Sequence, residues 1–281
     1  MVERPVGRDI YYIMKEKLVK TMLDLRGKVI IITDVTEAWS QKFAESVSLS
    51  GASLYILGDN QKKLDDVIKK INKKGGNSIS GFYVDLTDLD QVVAIKEEVV
   101  NTEEKIDILI NNYIMKKEDL PTDKYFNDPE NYPIELWQRF IDYNINSVFL
   151  SSQQFGSVMA RNGGGGILNV VPSESVRGMN YLMYDGNIPP LHYPVAKACI
   201  INFTRYLATY WAQKNIRVNC LVMGGIKDEV FENQKINIGH IPLNKYASDS
   251  EFTGALIYMI SDASTYMTGS IVTVDGGITC Y

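Results

Sequence analysis

The chain has 281 residues, of which 45% are hydrophobic and 22% charged, and its formal net charge is -5. This composition is typical of a globular domain and excludes disordered, collagen-like and disulfide-rich chains. Acidic residues outnumber basic ones by 34 to 29, and the absence of a basic stripe argues against a nucleic-acid partner. The sequence has no apolar run long enough to span a bilayer, and its charged N-terminus lacks the apolar segment of a secretory signal. Cys199, Cys220 and Cys280 form no close pair, so we expect no metal site and a reducing, cytoplasmic location.

Short apolar runs alternate with helical patterns from residue 28 onward. The predicted strands are Lys28–Thr33, Ala52–Leu57, Ser80–Val84, Ile106–Ile110, Ile167–Val171, Arg217–Val222 and Ile271–Val274. The predicted helices are Ala38–Leu49, Gln61–Lys73, Leu89–Thr102, Ile134–Arg161 and Pro194–Lys214. Nearly continuous apolar runs are typical of strands buried on both faces. The alternation therefore predicts one α/β domain, a Rossmann-like doubly wound parallel sheet, over residues 25–281.

Residues 1–24 are predicted to form a helical extension that precedes this domain. One face of the extension is apolar and carries Ile10, Ile13, Met14, Leu18 and Met22. We expect this face to pack on the domain or on a neighbouring subunit, since the mixed charges on the other face do not favour a membrane surface. The glycine run Gly163–Gly166 follows a helix and precedes a strand, an order that indicates a turn and not a phosphate loop.

Ligands of a doubly wound sheet bind beyond the carboxyl ends of its strands, and several polar motifs fall there. Tyr193 and Lys197 form a Tyr-x-x-x-Lys motif, and the other motifs are Asn144 in the long helix, Asn111-Asn112, Asp85 and the terminal Val-Asp-Gly-Gly. In this register the chain resembles the short-chain dehydrogenase/reductase family over about Leu25–Gly277. The stretch from Tyr184 to Ala208 more narrowly resembles members from bacterial flagellin-glycan and sugar-acid biosynthesis.

The resemblance implies an NAD(P)-dependent oxidoreductase that interconverts an alcohol and a ketone, with a sugar or sugar nucleotide as substrate. Tyr193 would exchange a proton with the substrate, because Lys197 one helical turn away favours its phenolate. In the family this lysine also binds the nicotinamide ribose, and the asparagine, here Asn144, holds a water in a proton relay. The family's catalytic serine falls on Pro172, so we expect Ser173 to take its place through a one-residue bulge.

The cofactor implied is NAD, because Asp59 ends the second strand where an acidic residue binds both ribose hydroxyls. The expected cofactor-binding residues are Thr33, Asp34, Ala38, Trp39, Ser40, Asp59, Asp85, Leu86, Asn111, Asn112, Tyr113, Lys197, Gly224 and Ile226.

Several of these positions depart from the family pattern. Asp34, Ala38 and Ser40 replace the three glycines of the phosphate loop, and Tyr113-Ile114 replaces Ala-Gly. Asp34 would place a carboxylate beside the pyrophosphate, unless it caps the following helix instead. A second hypothesis therefore stays open: a protein of this fold that binds cofactor poorly and acts as a binding or assembly partner.

Two further expectations concern the surroundings of the site. The apolar surface of helix Pro194–Lys214, together with the long helix before it, predicts a homodimer or homotetramer. Gly224–Lys245 is long for a connection and is predicted to be a mobile lid over a small-molecule substrate. Tyr181–His192 would form the opposing wall of the substrate pocket.

Overall fold

A computed structural model of the chain describes residues 19–112, 128–178, 191–227 and 237–280. The strands are β1 Val29–Thr33, β2 Ser53–Gly58, β3 Ile79–Tyr83, β4 Ile108–Asn111, β5 Gly165–Pro172, β6 Ile216–Met223 and β7 Ile271–Val274. The α-helices are α1 Ala38–Leu49, α2 Gln61–Lys73, α3 Leu89–Glu103, α4 Ile134–Ile141, α5 Ser147–Arg161, α6 His192–Trp211 and α7 Thr253–Ile260. Every predicted strand and helix is therefore present, with ends that differ by a few residues.

The strands form one seven-stranded sheet in the order β3-β2-β1-β4-β5-β6-β7. All neighbouring strands run parallel, and Thr33 at the end of β1 is paired with Leu57 of β2 and Asn111 of β4. The strand order reverses between β1 and β4, and the crevice above such a reversal is where this architecture binds ligands. The predicted doubly wound α/β sheet is confirmed, and it brings the ends of β1, β2 and β4 together.

The central strands are buried on both faces, as their apolar sequences predict. Ile30 and Ile32 of β1 pack in the core on the side of α1 and α7. Val29 and Ile31 of the same strand point to the other side, into a core with α3, α5 and α6. Since both faces of β1 are covered by helices, the site at its carboxyl end stands on a rigid base.

Polar residues fix where the helices begin. Asn60 accepts a hydrogen bond from Lys63 N at 3.0 Å at the start of α2. Asp88 accepts from Asp90 N at 2.9 Å and from Gln91 N at 3.2 Å at the start of α3. Such caps satisfy backbone donors that the helix itself leaves unpaired.

The long helix predicted over Ile134–Arg161 is interrupted. A π-helical turn, Asp142–Asn146, lies between α4 and α5. A π turn inserts an extra residue into the helix and re-aims its side chains, and such turns occur frequently at functional sites.

The structure describes only some of the segments predicted to lie outside the regular strands and helices of the domain. Gly163 and Gly164 form a turn with positive φ as expected, whereas the next two glycines begin β5. Parts of three predicted segments lie outside the described residues. They are residues 1–18 of the N-terminal extension, nearly all of the substrate wall up to residue 190, and residues 228–236 of the lid. In the described end of the predicted lid, Ile241 is 2% exposed and clusters with Ile278, whereas Ile238 and Leu243 are 38% and 65% exposed.

Candidate active site

Tyr193 and Lys197 lie in the first turns of α6, which begins beside the carboxyl ends of the central strands. The Lys197 Nζ is 5.9 Å from the centre of the Tyr193 ring. Lys197 is 2% exposed, while Tyr193 is half-buried. The predicted pair is thus brought together, with a buried cation beside a tyrosine that solvent can reach.

Burial lowers the pKa of Lys197 to about 8, and the negative charge of Asp34 opposes this decrease. A buried ammonium group loses solvation, which disfavours its charged form, and a nearby carboxylate restores part of that stability. The Lys197 charge is therefore maintained below about pH 8 with the help of Asp34, a residue of the predicted cofactor loop.

Asn144 lies in the π turn, which packs against α6. Its side chain is fully buried, and its Nδ2 donates to the Phe140 carbonyl at 3.1 Å. Its Oδ1 has no hydrogen-bond partner among the described residues. A buried, unpaired carbonyl oxygen is costly, so it is a candidate acceptor for a water or ligand group.

Side chains of the loop from Asp34 to Ser40 accept hydrogen bonds from backbone donors of the same loop. Asp34 has a φ of 63°, the left-handed conformation that favours glycine, and its Oδ1 accepts from Thr36 N at 2.7 Å. Ser40 Oγ accepts from Glu37 N at 3.1 Å and donates to the Glu37 carbonyl at 2.8 Å. Asp34 therefore caps the loop, while Glu37 and Ser40 form the capping box of α1. Side-chain oxygens occupy donors that a glycine-rich loop would present to a phosphate.

Burial restricts two of the predicted cofactor contacts, Trp39 and Leu86. The Trp39 indole is 8% exposed and packs edge-to-face on Phe43 in the core at 5.5 Å between ring centres. The Leu86 side chain is fully buried in the core on the other face of the sheet. Only their backbones remain as candidate contacts, because large apolar side chains gain most by burial. Ala38, the first residue of α1, is exposed.

The two asparagines after β4 have different roles. Asn112 Nδ2 donates to the Asp34 carbonyl at 3.1 Å, and its backbone N donates to Thr33 Oγ1 at 2.8 Å. Asn111 Nδ2 instead donates to Ser152 Oγ at 3.0 Å and to Asn169 Oδ1 at 2.8 Å. Asn111 Nδ2 thus links β4 to β5 and α5, while its Oδ1, like that of Asn112, is buried without a partner among the described residues. Tyr113 lies outside the described residues.

The acidic residues after β2 and β3 also differ. Asp59 is half-buried directly after β2, next to the strand that carries Thr33. Asp85 Oδ1 accepts from Thr87 N at 2.8 Å and from Thr87 Oγ1 at 2.7 Å. Asp85 therefore uses one carboxylate oxygen to shape its own turn.

The serine expected after β5 is not restored by a bulge. β5 and β6 pair without interruption as far as Pro172 and Met223. Ser173 is fully buried, its Oγ donates to Glu174 Oε2 at 3.2 Å, and a Cβ built on Gly224 would lie 2.7 Å from that Oγ. The Ser175 hydroxyl, buried in the same turn, has no partner among the described residues.

Gly224 therefore provides space for Ser173, and Ile226 forms a bridge with Ala247. Neither observation shows a ligand contact, so the cofactor contacts of Gly224 and Ile226 stay a prediction. Among the described residues, no group of three or more histidine, cysteine or acidic side chains is arranged to hold a metal ion. The helices in the same ranges are too short or too polar to cross a membrane.

The chain was compared with known families, proteins and structures. A family model described as Enoyl-(Acyl carrier protein) reductase matches residues 38–279. The chain is 30% identical over 263 residues to the 7alpha-hydroxysteroid dehydrogenase of Clostridium sardiniense, covering 91% of this chain and 95% of that protein. A solved short-chain type dehydrogenase/reductase from Mycobacterium marinum superposes with a TM-score of 0.79 at 29% identity, covering 92% and 98% of the two chains. The chain belongs to the short-chain dehydrogenase/reductase family.

Another member of the family, the 2-dehydro-3-deoxy-D-gluconate 5-dehydrogenase of Dickeya dadantii, is 28% identical over 269 residues. That alignment covers 92% of this chain and 98% of the relative. Both relatives therefore match nearly their whole length to this short-chain dehydrogenase/reductase.

The family implies a nicotinamide dinucleotide, and the residues present fit one. Lys197 is a buried cation, and the Asn112 and Asn144 Oδ1 atoms are buried without partners among the described residues. At the phosphate loop, a bound dinucleotide would have to replace the Asp34 and Ser40 oxygens as acceptors for Thr36 N and Glu37 N. The Asp34 carboxylate is an unfavourable charge at that end of the site.

Sequence reasoning missed one feature beside the site. His192, directly before Tyr193, is fully buried and stacked on Phe140, and its Nδ1 is hydrogen-bonded to the Tyr132 hydroxyl. The histidine is visible in the sequence, but its partners precede it by about 50 to 60 positions, so no local pattern identifies them.

Proposed function

We propose that this short-chain dehydrogenase/reductase is an NAD(P)-dependent oxidoreductase that interconverts a secondary alcohol and a ketone. The observation that carries the proposal is the buried Lys197 within 5.9 Å of the half-buried Tyr193 ring. A purely structural helix has no need of a buried lysine at this position, because burying a charge is costly. The relatives described above are named dehydrogenases, which gives no support to the alternative of a non-enzymatic assembly partner.

Tyr193 carries the proton transfer in this proposal. A phenol ordinarily titrates near pH 10, and the positive charge of Lys197 favours its deprotonated form. The Tyr193 Oη would accept the proton of a substrate hydroxyl during oxidation and return it to the carbonyl oxygen during reduction. The bound nicotinamide supplies the hydride acceptor or donor.

Lys197 and Asn144 support this proton transfer in two different ways. Below about pH 8 Lys197 is charged and would donate hydrogen bonds to the ribose next to the nicotinamide. The buried Asn144 Oδ1 would accept from a water that connects the site to solvent. Asn112, hydrogen-bonded to the Asp34 carbonyl, would hold the cofactor loop against the end of β4.

We further propose NAD as the preferred cofactor and a sugar or sugar acid as the substrate class. Asp59 supports NAD, because a carboxylate at this position accepts from both ribose hydroxyls and repels the additional phosphate of NADP. The 2-dehydro-3-deoxy-D-gluconate 5-dehydrogenase relative supports a sugar acid, whereas the hydroxysteroid dehydrogenase relative provides the competing class to test.

A homo-oligomeric assembly is proposed from α5 and α6. Tyr206 and Tyr210 on α6 are 63% and 66% exposed and stack on each other, and Phe149 on α5 is 44% exposed. Exposed aromatic clusters of this kind mark protein interfaces. All three cysteines are free, which supports the proposed reducing, cytoplasmic compartment.

The test is a panel of sugar acids and hydroxysteroids, each offered with NAD⁺ and NADP⁺ while the absorbance of the reduced nicotinamide is followed. We expect turnover of a sugar acid with NAD⁺. Replacing Tyr193 by Phe should lower kcat by about 10²- to 10⁴-fold. Tyr266→Phe, a fully exposed tyrosine outside the site and the proposed interface, is the matched control and should leave kcat unchanged. Equal turnover by the Tyr193→Phe variant and the wild type would overturn the proposed role.

A further inference from the structure

His192 is a buried titratable residue that the proposed mechanism does not use. Its side chain is fully buried, and burial lowers its pKa to about 3. The imidazole is therefore neutral throughout the physiological range and carries neither a charge nor a pH-sensing function.

Two aromatic residues hold the imidazole in place. The Phe140 ring stacks on it with ring centres 3.2 Å apart and planes inclined by 18°. The Tyr132 hydroxyl is hydrogen-bonded to its Nδ1. Burial raises the pKa of Tyr132, so the hydroxyl keeps its proton at physiological pH. The contact is thus a hydrogen bond between two neutral groups.

The same three residues connect to two predicted catalytic residues. His192 directly precedes Tyr193 in the chain, so the position of the His192 side chain helps to place the first turn of α6. The Phe140 carbonyl accepts the hydrogen bond from Asn144 Nδ2 at 3.1 Å. The imidazole therefore lies between the segment that carries Asn144 and the segment that carries Tyr193.

A π turn replaces the i→i+4 hydrogen bonds of a regular α-helix by i→i+5 bonds, which shifts the side chains that follow relative to those before it. The turn Asp142–Asn146 follows directly after α4, whose inward-facing Phe140 is held by His192. Contacts from outside the turn thus determine where Asn144 lies relative to α6.

We propose that His192 is a positioning residue that, through Phe140 and Tyr132, sets the placement of Asn144 relative to Tyr193. This inference rests on the proposed function. It predicts that loosening the cluster lowers kcat while the KM and the dissociation constant of the cofactor stay the same, since the Tyr132–His192 and Phe140–His192 contacts join α6 to α4 and the segment before it. Errors of about 1 Å in a catalytic group cost up to about 100-fold in rate.

The experiment compares Tyr132→Phe, His192→Phe and the double variant with the wild type. Each substitution keeps an aromatic ring and removes the hydrogen bond, so each variant should fold, as its thermal unfolding will show. We expect kcat to fall by about tenfold in either single variant and no further in the double variant, because both remove the same interaction. Unchanged kcat in both single variants, or a loss that appears in cofactor affinity instead, would overturn the positioning role.

Hydrogen exchange of the backbone amides in Asp142–Asn146 gives a readout that does not need turnover. We expect about fivefold faster exchange there in Tyr132→Phe, and unchanged exchange in α2, which lies on the far side of the sheet. If the wild type shows no turnover with any substrate of the panel, the proposed function fails, and the exchange measurement alone decides the positioning role. Unchanged exchange in Asp142–Asn146 would then refute it.

Discussion

Replacing Asp34 by Gly should strengthen the binding of NAD. The Asp34 Oδ1 lies 2.7 Å from Thr36 N, a donor that a phosphate oxygen would have to reach. A pyrophosphate oxygen in that place would be about 4 Å from the carboxylate. Two unit charges at that distance and an effective dielectric constant near 20 repel by about 4 kcal/mol.

Solvent and salt reduce this repulsion, so we expect a gain of about 1 to 3 kcal/mol, or about 5- to 150-fold in Kd. The stability of the fold should change little. Glycine relieves the left-handed backbone at position 34, worth about 1 kcal/mol, and forfeits the hydrogen bond to Thr36, worth about the same. Calorimetric titration with NAD⁺ at two salt concentrations measures both the gain and its screening.

Two matched variants separate charge from shape. Asp34→Asn tolerates the positive φ and keeps an oxygen for Thr36 N, so it removes the charge alone and should retain most of the gain. Ala38→Gly alters only backbone freedom, and any effect on affinity should be independent of salt. If neither Asp34 variant changes the affinity for NAD⁺, the carboxylate does not face the phosphate position and the electrostatic reasoning is refuted.

Three further predictions concern pH, the turn after β5 and assembly. Lys197 is protonated below its pKa of about 8, so kcat/KM measured from pH 6 to 10 should decline above about pH 8 as the charge is lost; a flat profile would contradict this role. Ser175→Ala should lower kcat by about tenfold or more, because its buried hydroxyl is unpaired among the described residues. Ser173→Ala should have a smaller effect, because the Ser173 hydroxyl is hydrogen-bonded to Glu174. A larger loss in Ser173→Ala than in Ser175→Ala would assign the serine role to Ser173. Tyr210→Glu on α6 should produce a monomer in light scattering, while the wild type and a Tyr266→Glu control on another exposed tyrosine remain oligomeric; a monomeric wild type would exclude the interface.

Most of the fold could be predicted from the sequence, because the patterns that indicate strands and helices are local. Apolar runs of strand length, separated by amphipathic stretches, predicted every strand, and the bounds of α1, α2 and β7 match those in the structure. The π turn was not predictable, since one extra residue hardly disturbs the apolar periodicity of Ile134–Arg161.

The candidate site was predicted less completely, because side-chain direction depends on tertiary contacts. Trp39 beside the loop turns into the core, where burial of its indole outweighs exposure at the ligand crevice. Asn111 Nδ2 likewise donates hydrogen bonds to β5 and α5, because a buried amide donor needs a partner. The Tyr132–His192 contact joins residues 60 positions apart, and only the folded chain brings them together.

Calorimetric titration of the full chain with NAD⁺ and NADH, in the wild type and in Lys197→Met, tests most directly whether this site binds a nicotinamide dinucleotide. We predict saturable binding of both forms to the wild type. The methionine variant, similar in shape but uncharged, should bind about tenfold or more weakly, because it removes a charged hydrogen bond to the ribose. The matched Lys214→Met variant, at the far end of the helical segment that starts at His192, should bind as the wild type does. No detectable binding to the wild type at millimolar dinucleotide, or equal affinity of the wild type and Lys197→Met, would contradict the assignment.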